Sequence, residues 1–229
     1  VGGLLSSYSL KTPFLFAAGL SLFGVLVSIF FLKETNKFQQ ETEQEKRPLI
    51  DFKELFGILT KPFIGFVILI GFFTATANFA MFTGFQTFNI DVLKLSSTDI
   101  GLFFGAFAIV SILMQAVLLK QILKLFSSKI QILAIALTAT SIAMLFAGMS
   151  MTLFAFCASI LVYAMFNSVR DPMLQSLISE HSHKDEQGKM LGINQSYLSI
   201  GQIVGPLVAG YASKFSISYV FPSAAGFIV

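Results

Sequence analysis

Long apolar runs separated by short polar breaks dominate the chain. Six stretches carry no charged residue: 12–32 (21 residues), 62–90 (29), 100–119 (20), 130–169 (40), 190–213 (24) and 215–229 (15). About 20 apolar residues cross the hydrocarbon core of a bilayer as a helix, so four of these stretches predict one span each. The 40-residue stretch would be roughly 60 Å long as a single helix, twice the core. It must fold back, and Gly148-Met149-Ser150-Met151-Thr152 is the predicted turn. The last stretch is short of a full span. The pattern therefore predicts six complete helices and part of a seventh. Val1-Gly2-Gly3-Leu4-Leu5 reads as the tail of a helix whose body lies upstream.

Composition agrees with this pattern. Hydrophobic residues make up 55% and charged residues 12%, with a mean hydropathy of +0.80. Soluble domains carry about 25% charged residues, so a soluble enzyme is excluded. A disordered chain, which needs low hydrophobicity, is excluded as well. The lone Cys157 rules out a disulfide framework and a zinc site of several thiolates.

The net charge of +3 acquires meaning from its distribution. One set of alternate loops holds Lys11, Lys94 and Lys214. The other holds the remaining twelve basic residues, Arg170 among them. Basic loops stay in the cytoplasm, so the second set is assigned there and nucleic acid is not an expected partner. Residues 33–61, with six basic against six acidic side chains, read as a solvated cytoplasmic linker. The expected organisation is 1–32, 33–61 and 62–229: the end of one bundle, the linker, and a second bundle.

An internal repeat supports two related bundles. A shift of 207 places 1–19 on 208–226. Val1/Val208, Gly3/Gly210, Ser6/Ser213, Ser9/Ser216, Phe14/Phe221, Ala17/Ala224, Ala18/Ala225 and Gly19/Gly226 are identical. Six helices separate the copies. Parallel six-helix repeats are the architecture of major facilitator superfamily transporters.

Several motifs resemble the drug:proton antiporters of that superfamily, most closely the tetracycline-efflux-like branch. Gly2-Gly3 is similar to the end of the helix-5 motif Gly-Pro-x-x-Gly-Gly. Pro13-Phe14, Ala17-Ala18 and Leu32-Lys33-Glu34-Thr35 resemble the sixth helix and its exit, and Ile100-Gly101 with Gln115 resembles helix 8. The longest match is Pro172-Met173-Leu174-Gln175, then 185–192 (Asp-Glu-Gln-Gly-Lys-Met-Leu-Gly), then Gly205-Pro206-Leu207. The chain departs at Lys120-Gln121-Ile122-Leu123-Lys124-Leu125-Phe126, in the expected helix 8–9 loop, and at Arg170-Asp171, where relatives have small residues. The resemblance implies an all-α integral membrane protein, the carboxy-terminal half of a 6+6 helix fold, running from the end of helix 5 to the start of helix 12.

Candidate chemistry is confined to neutral polar residues. No charged side chain is expected deep in any span, so a proton-carrying carboxylate is expected outside this chain. Thr74 and Asn78 are spaced i, i+4, with Gln86 two turns on. Ser159, Tyr163, Asn167 and Arg170 form a stripe on one helix face. Gln195, Ser199 and Gln202 form another row, and Ser111 with Gln115 a short one. Asn78, Gln86, Tyr163, Asn167 and Gln195 are the candidate substrate contacts; the bland alternative is hydrogen bonding between helices. Phe72, Phe73, Phe79, Phe82 and Phe85 surround Asn78 and would suit a flat lipophilic ligand. Gly201-x-x-x-Gly205 predicts close helix contact, with Gly205 and Pro206 a candidate hinge. Arg170 and Asp171, placed at the cytoplasmic helix end, are a candidate gate pair or a snorkelling arginine. Ser96-Ser97-Thr98-Asp99 has the spacing of a capping box. His181-Ser182-His183 is too weak a pattern for a metal site, and none is expected.

The function these features imply is proton-coupled efflux of a lipophilic or amphipathic compound by alternating access. Expected partners are the lipid bilayer, a small-molecule substrate and the amino-terminal half of the same protein. No cofactor is expected beyond the proton gradient as energy source. A metabolite symporter or uniporter of the same superfamily shares the fold. A membrane-embedded enzyme or assembly factor finds no buried reactive residues to support it. The expected location is the cytoplasmic membrane.

Overall fold

The computed structural model describes residues 2–6, 8–9, 11–31, 52–126, 128–150 and 152–228, and the regular structure among them is helical. In order these are α1 (Gly2–Ser6), α2 (Thr12–Phe31), α3 (Phe52–Gly57), α4 (Pro62–Thr87), α5 (Ser97–Leu113), α6 (Leu119–Leu125), α7 (Lys129–Met149), α8 (Leu153–Glu180), α9 (Gln187–Ser213) and α10 (Val220–Gly226). A wide π turn, Phe88–Val92, extends α4, and another, Met114–Leu118, joins α5 to α6.

Local chemistry sets the helix starts. Pro62 opens α4 with its φ already helical and no N–H to satisfy. The capping box before α5 is formed: Asp99 N donates to Ser96 Oγ at 3.2 Å, and Ser96 N to Asp99 Oδ2 at 3.1 Å. The long apolar stretch breaks between Met149 and Leu153, where the turn was predicted, and Thr152 Oγ1 caps α8 by accepting from Ala155 N at 3.2 Å.

Five segments are long and apolar enough to cross a membrane: Thr12–Phe31, Pro62–Val92, Ser97–Leu125, Lys129–Met149 and Leu153–Glu180. Helix α9 is as long, at 27 residues, but its inner half, Gly192-Ile193-Asn194-Gln195-Ser196-Tyr197, is more polar. The segment Lys120-Gln121-Ile122-Leu123-Lys124-Leu125, expected in a loop, is helical. It holds no glycine or proline to stop a helix, so α5 and its π turn run on through α6.

The linker assigned to 33–61 falls largely outside the described residues. Its last part is not free in solvent. Ile58 is buried, and Tyr197 Oη on α9 donates to the Leu55 carbonyl at 2.9 Å. The helix exit at Leu32-Lys33-Glu34-Thr35 also lies outside the described residues.

Two tight helix pairs form the body of the bundle, α4 with α9 and α7 with α8. In the first, glycine permits direct backbone contact. A Cβ on Gly201 would lie 2.7 Å from the Phe72 carbonyl oxygen, and one on Gly205 2.6 Å from that of Thr76. This is the small-x-x-x-small logic of helices that have no hydrophobic drive to associate in lipid. α10 fits against α4, α7 and α9, burying Phe221, Ala224 and Ala225; Ser141 Oγ donates to the Ala225 carbonyl at 3.2 Å. α5 lies against α8, and α1 meets α5 where Gly3 crosses Gly101. No residue of α2 is buried.

The sequence repeat is also a structural one. Helix α1 ends at Ser6 and α9 at Ser213. Ser6 Oγ donates to the Gly3 carbonyl at 2.8 Å, and Ser213 Oγ to that of Gly210 at 2.9 Å. The amides of Lys11 and Ser218 donate to Ser9 Oγ and Ser216 Oγ, both at 3.3 Å. The backbone bonds Tyr8 N to Leu5 O and Thr12 N to Ser9 O recur as Phe215 N to Ala212 O and Tyr219 N to Ser216 O.

Candidate functional site: a polar belt between two apolar clusters

The buried apolar residues divide into two clusters along the helix axes. One gathers Ala77, Met81, Phe85 and Phe88 of α4 with Phe156 and Ile160 of α8 and Phe221 of α10. The other, toward the lysine-rich end, gathers Ile64 and Ile68 of α4 with Leu174 and Ile178 of α8 and Met190 and Ile193 of α9. Between them lies a belt of polar groups on α4 and α8.

Two contacts build the belt. Tyr163 Oη, fully buried, donates to Asn78 Oδ1. Arg170, only 6% exposed, donates from Nη1 to the Thr74 backbone carbonyl at 3.2 Å. Its Nε and Nη2 grip the Asp171 carboxylate at 2.9 and 3.1 Å. The helices run antiparallel, so Asn78 meets Tyr163 on one side and Thr74 meets Arg170 on the other. Asp171 is the open member of the pair, with 52% of its side chain exposed.

This placement corrects two expectations. Arg170 does not snorkel to a helix end. α8 continues for ten residues beyond it, through Pro172, to Glu180. Measured at about 1.5 Å per residue, Arg170 stands roughly 5 Å from the middle of α8. Its side chain leans toward the helix N-terminus and reaches Thr74, at the middle of α4. A charge pair therefore lies inside a segment long and apolar enough to cross a membrane. The basic residues left at the lysine-rich side number eleven, against three on the other.

The remaining predicted residues scatter. Asn167 is half-buried on α8, one turn beyond Tyr163. Gln86 is exposed, two turns from Asn78. Gln195 is exposed on α9, whereas its neighbour Asn194 is buried against α4. Gly205 is buried in the α4–α9 seam, and Pro206 is exposed within an unbroken helix. Ser111 and Gln115 bond across to α8, to the carbonyls of Ala164 at 3.5 Å and Ser168 at 3.1 Å.

The phenylalanines around Asn78 join helices. Phe82 stacks on Phe104 at 6.0 Å, and Phe85 contacts Phe103 and Phe104 of α5 and Phe156 of α8. Phe107 lies 6.0 Å from Tyr163.

Two features escaped the sequence reading. Asn194 Oδ1 is buried with no hydrogen-bond partner among the described residues. It faces Gly71, one turn from Thr74, at 3.1 Å from where a Cβ would stand. Asn89, in the π turn after α4, is a second buried side-chain amide without partners among the described residues, at the far end from the belt. Nothing in the residue spacing distinguishes Asn194 from the polar row beside it.

At the lysine-rich end, Lys129 of α7 pairs with Glu180 of α8 and donates to Ser176 Oγ at 2.7 Å. Lys61 reaches Glu186 at 3.9 Å. The His181 ring stacks on Phe63 at 3.9 Å, with Nδ1 2.9 Å from the Leu177 carbonyl. Among the described residues no group of three or more His, Cys, Asp or Glu could hold a metal ion. A cleft of about 650 Å³ lined by Tyr211, Phe215 and Tyr219 lies between α9 and α10, away from the belt.

Comparison with known proteins agrees with this architecture. The chain is 26% identical over 233 residues to Multidrug resistance protein 2 of Bacillus subtilis, covering 100% of this chain and 56% of that protein. It is 29% identical over 220 residues to Tetracycline resistance protein, class C, of Escherichia coli, covering 94% and 54%. It is 26% identical over 222 residues to Quinolone resistance protein NorA of Staphylococcus aureus, covering 92% and 52%. The chain thus spans about half the length of the curated relatives it matches. The family model of the Major Facilitator Superfamily matches residues 1–126 and 93–229, which between them take in every helix described above. This chain is a multi-pass membrane segment belonging to the Major Facilitator Superfamily, a family of transporters and not of enzymes.

Proposed function

We propose that the full-length protein exports a lipophilic or amphipathic compound across the cytoplasmic membrane, by alternating access and at the expense of the proton gradient. The observation that carries this reading is the polar belt at mid-height of α4 and α8. Its hydrogen-bonding groups, Asn78, Tyr163 and Asn167, stand where the two apolar clusters meet, and transporters of this kind hold their cargo near the middle of their helices. Three relatives with drug-resistance names support the substrate class. Substrate entry would exchange the Tyr163–Asn78 bond for bonds to the ligand, a near-even trade in free energy. The rest of the cavity wall would come from the remainder of the full-length protein.

The test uses inverted membrane vesicles holding the full-length protein and an imposed pH gradient. Lipophilic cations and tetracyclines are added in turn while proton release is followed. Release with the wild type and its loss in the Asn78→Ala, Tyr163→Ala double variant is the expected result. Absence of release with every compound would overturn drug export and favour a metabolite carrier of the same fold. That second reading gains nothing from Arg170, whose charge is already matched by Asp171.

A further inference from the structure

We propose that Gln115, in the π turn after α5, and Pro172 of α8 form a clasp, in which the Gln115 side chain holds the backbone carbonyl that the proline leaves without its helical donor. Gln115 is thereby a positioning residue. It sets the angle between the part of α8 that carries Tyr163 and Asn167 and the part beyond Pro172 that packs at the lysine-rich end. Only the consequence for transport rests on the export reading above.

Two independent observations carry it. The first is where the backbone bonds of α8 go. In an α-helix the carbonyl of residue i accepts from the amide of residue i+4. Residue 172 is a proline inside α8. It has no N–H, so the Ser168 carbonyl loses its donor, and the ring crowds that same carbonyl. Gln115 Nε2 donates to the Ser168 carbonyl at 3.1 Å. Neighbouring helices often satisfy groups that proline frees in an apolar helix; here one side chain does so. The other bond between these two helices differs. Ser111 Oγ donates to the Ala164 carbonyl at 3.5 Å, which keeps the Ser168 amide as its ordinary helical partner. Of the two, only the Gln115 bond supplies what α8 cannot supply itself.

The second observation is that Gln115 stands on an element with two bonding patterns open to it. It lies in the wide turn Met114–Leu118, whose i→i+5 bonds hold one residue more than an α-helical turn, and such single turns are frequent at functional sites. Conversion of the turn to α-helical bonding shifts Gln115 relative to α8. Room for that shift is present. Met114, Phe166 and Val169 are among the apolar side chains lining a cavity of about 180 Å³ between this turn, α6, α7 and α8. A close-packed interior gives a buried side chain nowhere to go. Here the unbranched Met114 side chain can follow the turn into the gap.

Two states follow. With the clasp closed, α5 and the first part of α8 move as one and the proline break is held. With the clasp open, the Ser168 carbonyl turns to another donor and α8 bends freely at Pro172. The part beyond the break carries Met173, Leu174, Leu177 and Ile178 of the second apolar cluster, and ends at Glu180, the partner of Lys129. Bending there loosens the lysine-rich end of the bundle while Tyr163 and Asn167 stay with the first part of the helix.

Hydrogen exchange tests the clasp without requiring transport. The full-length protein is reconstituted in lipid nanodiscs, and peptide mass spectrometry follows amide exchange over 169–180 of α8. Gln115→Leu should speed exchange there by about three- to tenfold, the scale of one interhelical hydrogen bond. Pro172→Ala restores an amide donor for the Ser168 carbonyl, so Gln115→Leu added to it should produce no further change. A packing role for Gln115 would not depend on residue 172, and the second background separates the two. Ser111→Ala should leave the segment as in the wild type. Gln115→Ala takes the place of the leucine variant should that chain fail to fold. Three results would overturn the proposal: equal acceleration by Gln115→Leu in the native and Pro172→Ala backgrounds, no acceleration in the native background, or acceleration by Ser111→Ala as large as that by Gln115→Leu. Proton release absent from every vesicle experiment would instead strike the export reading and leave the exchange result standing.

Discussion

Arg170 is the residue on which the middle of the bundle turns. A guanidinium held by a carboxylate and a backbone carbonyl is tolerable inside the bundle because its charge and three of its donors are matched. Removing one partner of such a pair costs far more than removing both. Arg170→Leu should therefore destabilise the full-length protein by about 1–3 kcal/mol, the half-exposed Asp171 tempering the loss. Arg170→Leu with Asp171→Leu should recover most of it, and thermal unfolding in detergent reads the difference. A single variant no worse than the double would contradict the matched-pair account. Tyr163→Phe removes a donor from Asn78 and should cost about 0.6–1.7 kcal/mol, with little added by Asn78→Ala in the same chain. Both polar stripes were legible in the residue spacing. Their partners were not, because spacing along one helix says nothing about which neighbouring helix it faces.

At the scale of the element, the seam between α4 and α9 depends on glycine. A Cβ at Gly205 would meet backbone atoms of Thr76 and Ala80 at 2.6 and 2.8 Å, and backbone has little freedom to retreat. Gly205→Leu should drive the helices apart and sharply lower the yield of monodisperse protein. Gly210→Ala, where nothing lies within 4 Å of the new atom, should be neutral on the same size-exclusion trace. Equal behaviour of the two variants would remove glycine contact from the explanation. The helix starts at Pro62 and after Ser96, and the break after Met149, followed from proline, a cap and run length. The continuation through Lys120 and Lys124 into α6 was hidden, because two lysines resemble a loop on a charge count while the backbone sees no helix breaker. Reading Arg170 as the end of its helix was the same error.

Across the whole molecule, the two copies of the repeat fold alike to the level of single hydrogen bonds. Ser9 and Ser216 each cap the amide two residues on, ahead of the next helix. Ser9→Ala and Ser216→Ala should each destabilise their turn by about 1 kcal/mol, seen as similar acceleration of hydrogen exchange at Lys11 and Ser218. Clearly unequal effects would mean that the copies share sequence and geometry but not energetics.

The order of the long helices, the turn within the 40-residue stretch and the repeat were legible in the sequence alone. These properties depend on run length, breakers and the placement of charge along the chain, which the hydrocarbon thickness and the positive-inside rule convert directly into topology. Tertiary structure decided which polar groups meet, that Arg170 is buried, and why Asn194 stands apart from Gln195 beside it. These helices are apolar on nearly every side, so no face announces itself as the buried one. In lipid the choice of partner falls to close contact at glycine and to a few hydrogen bonds, and both exist only once the helices are side by side.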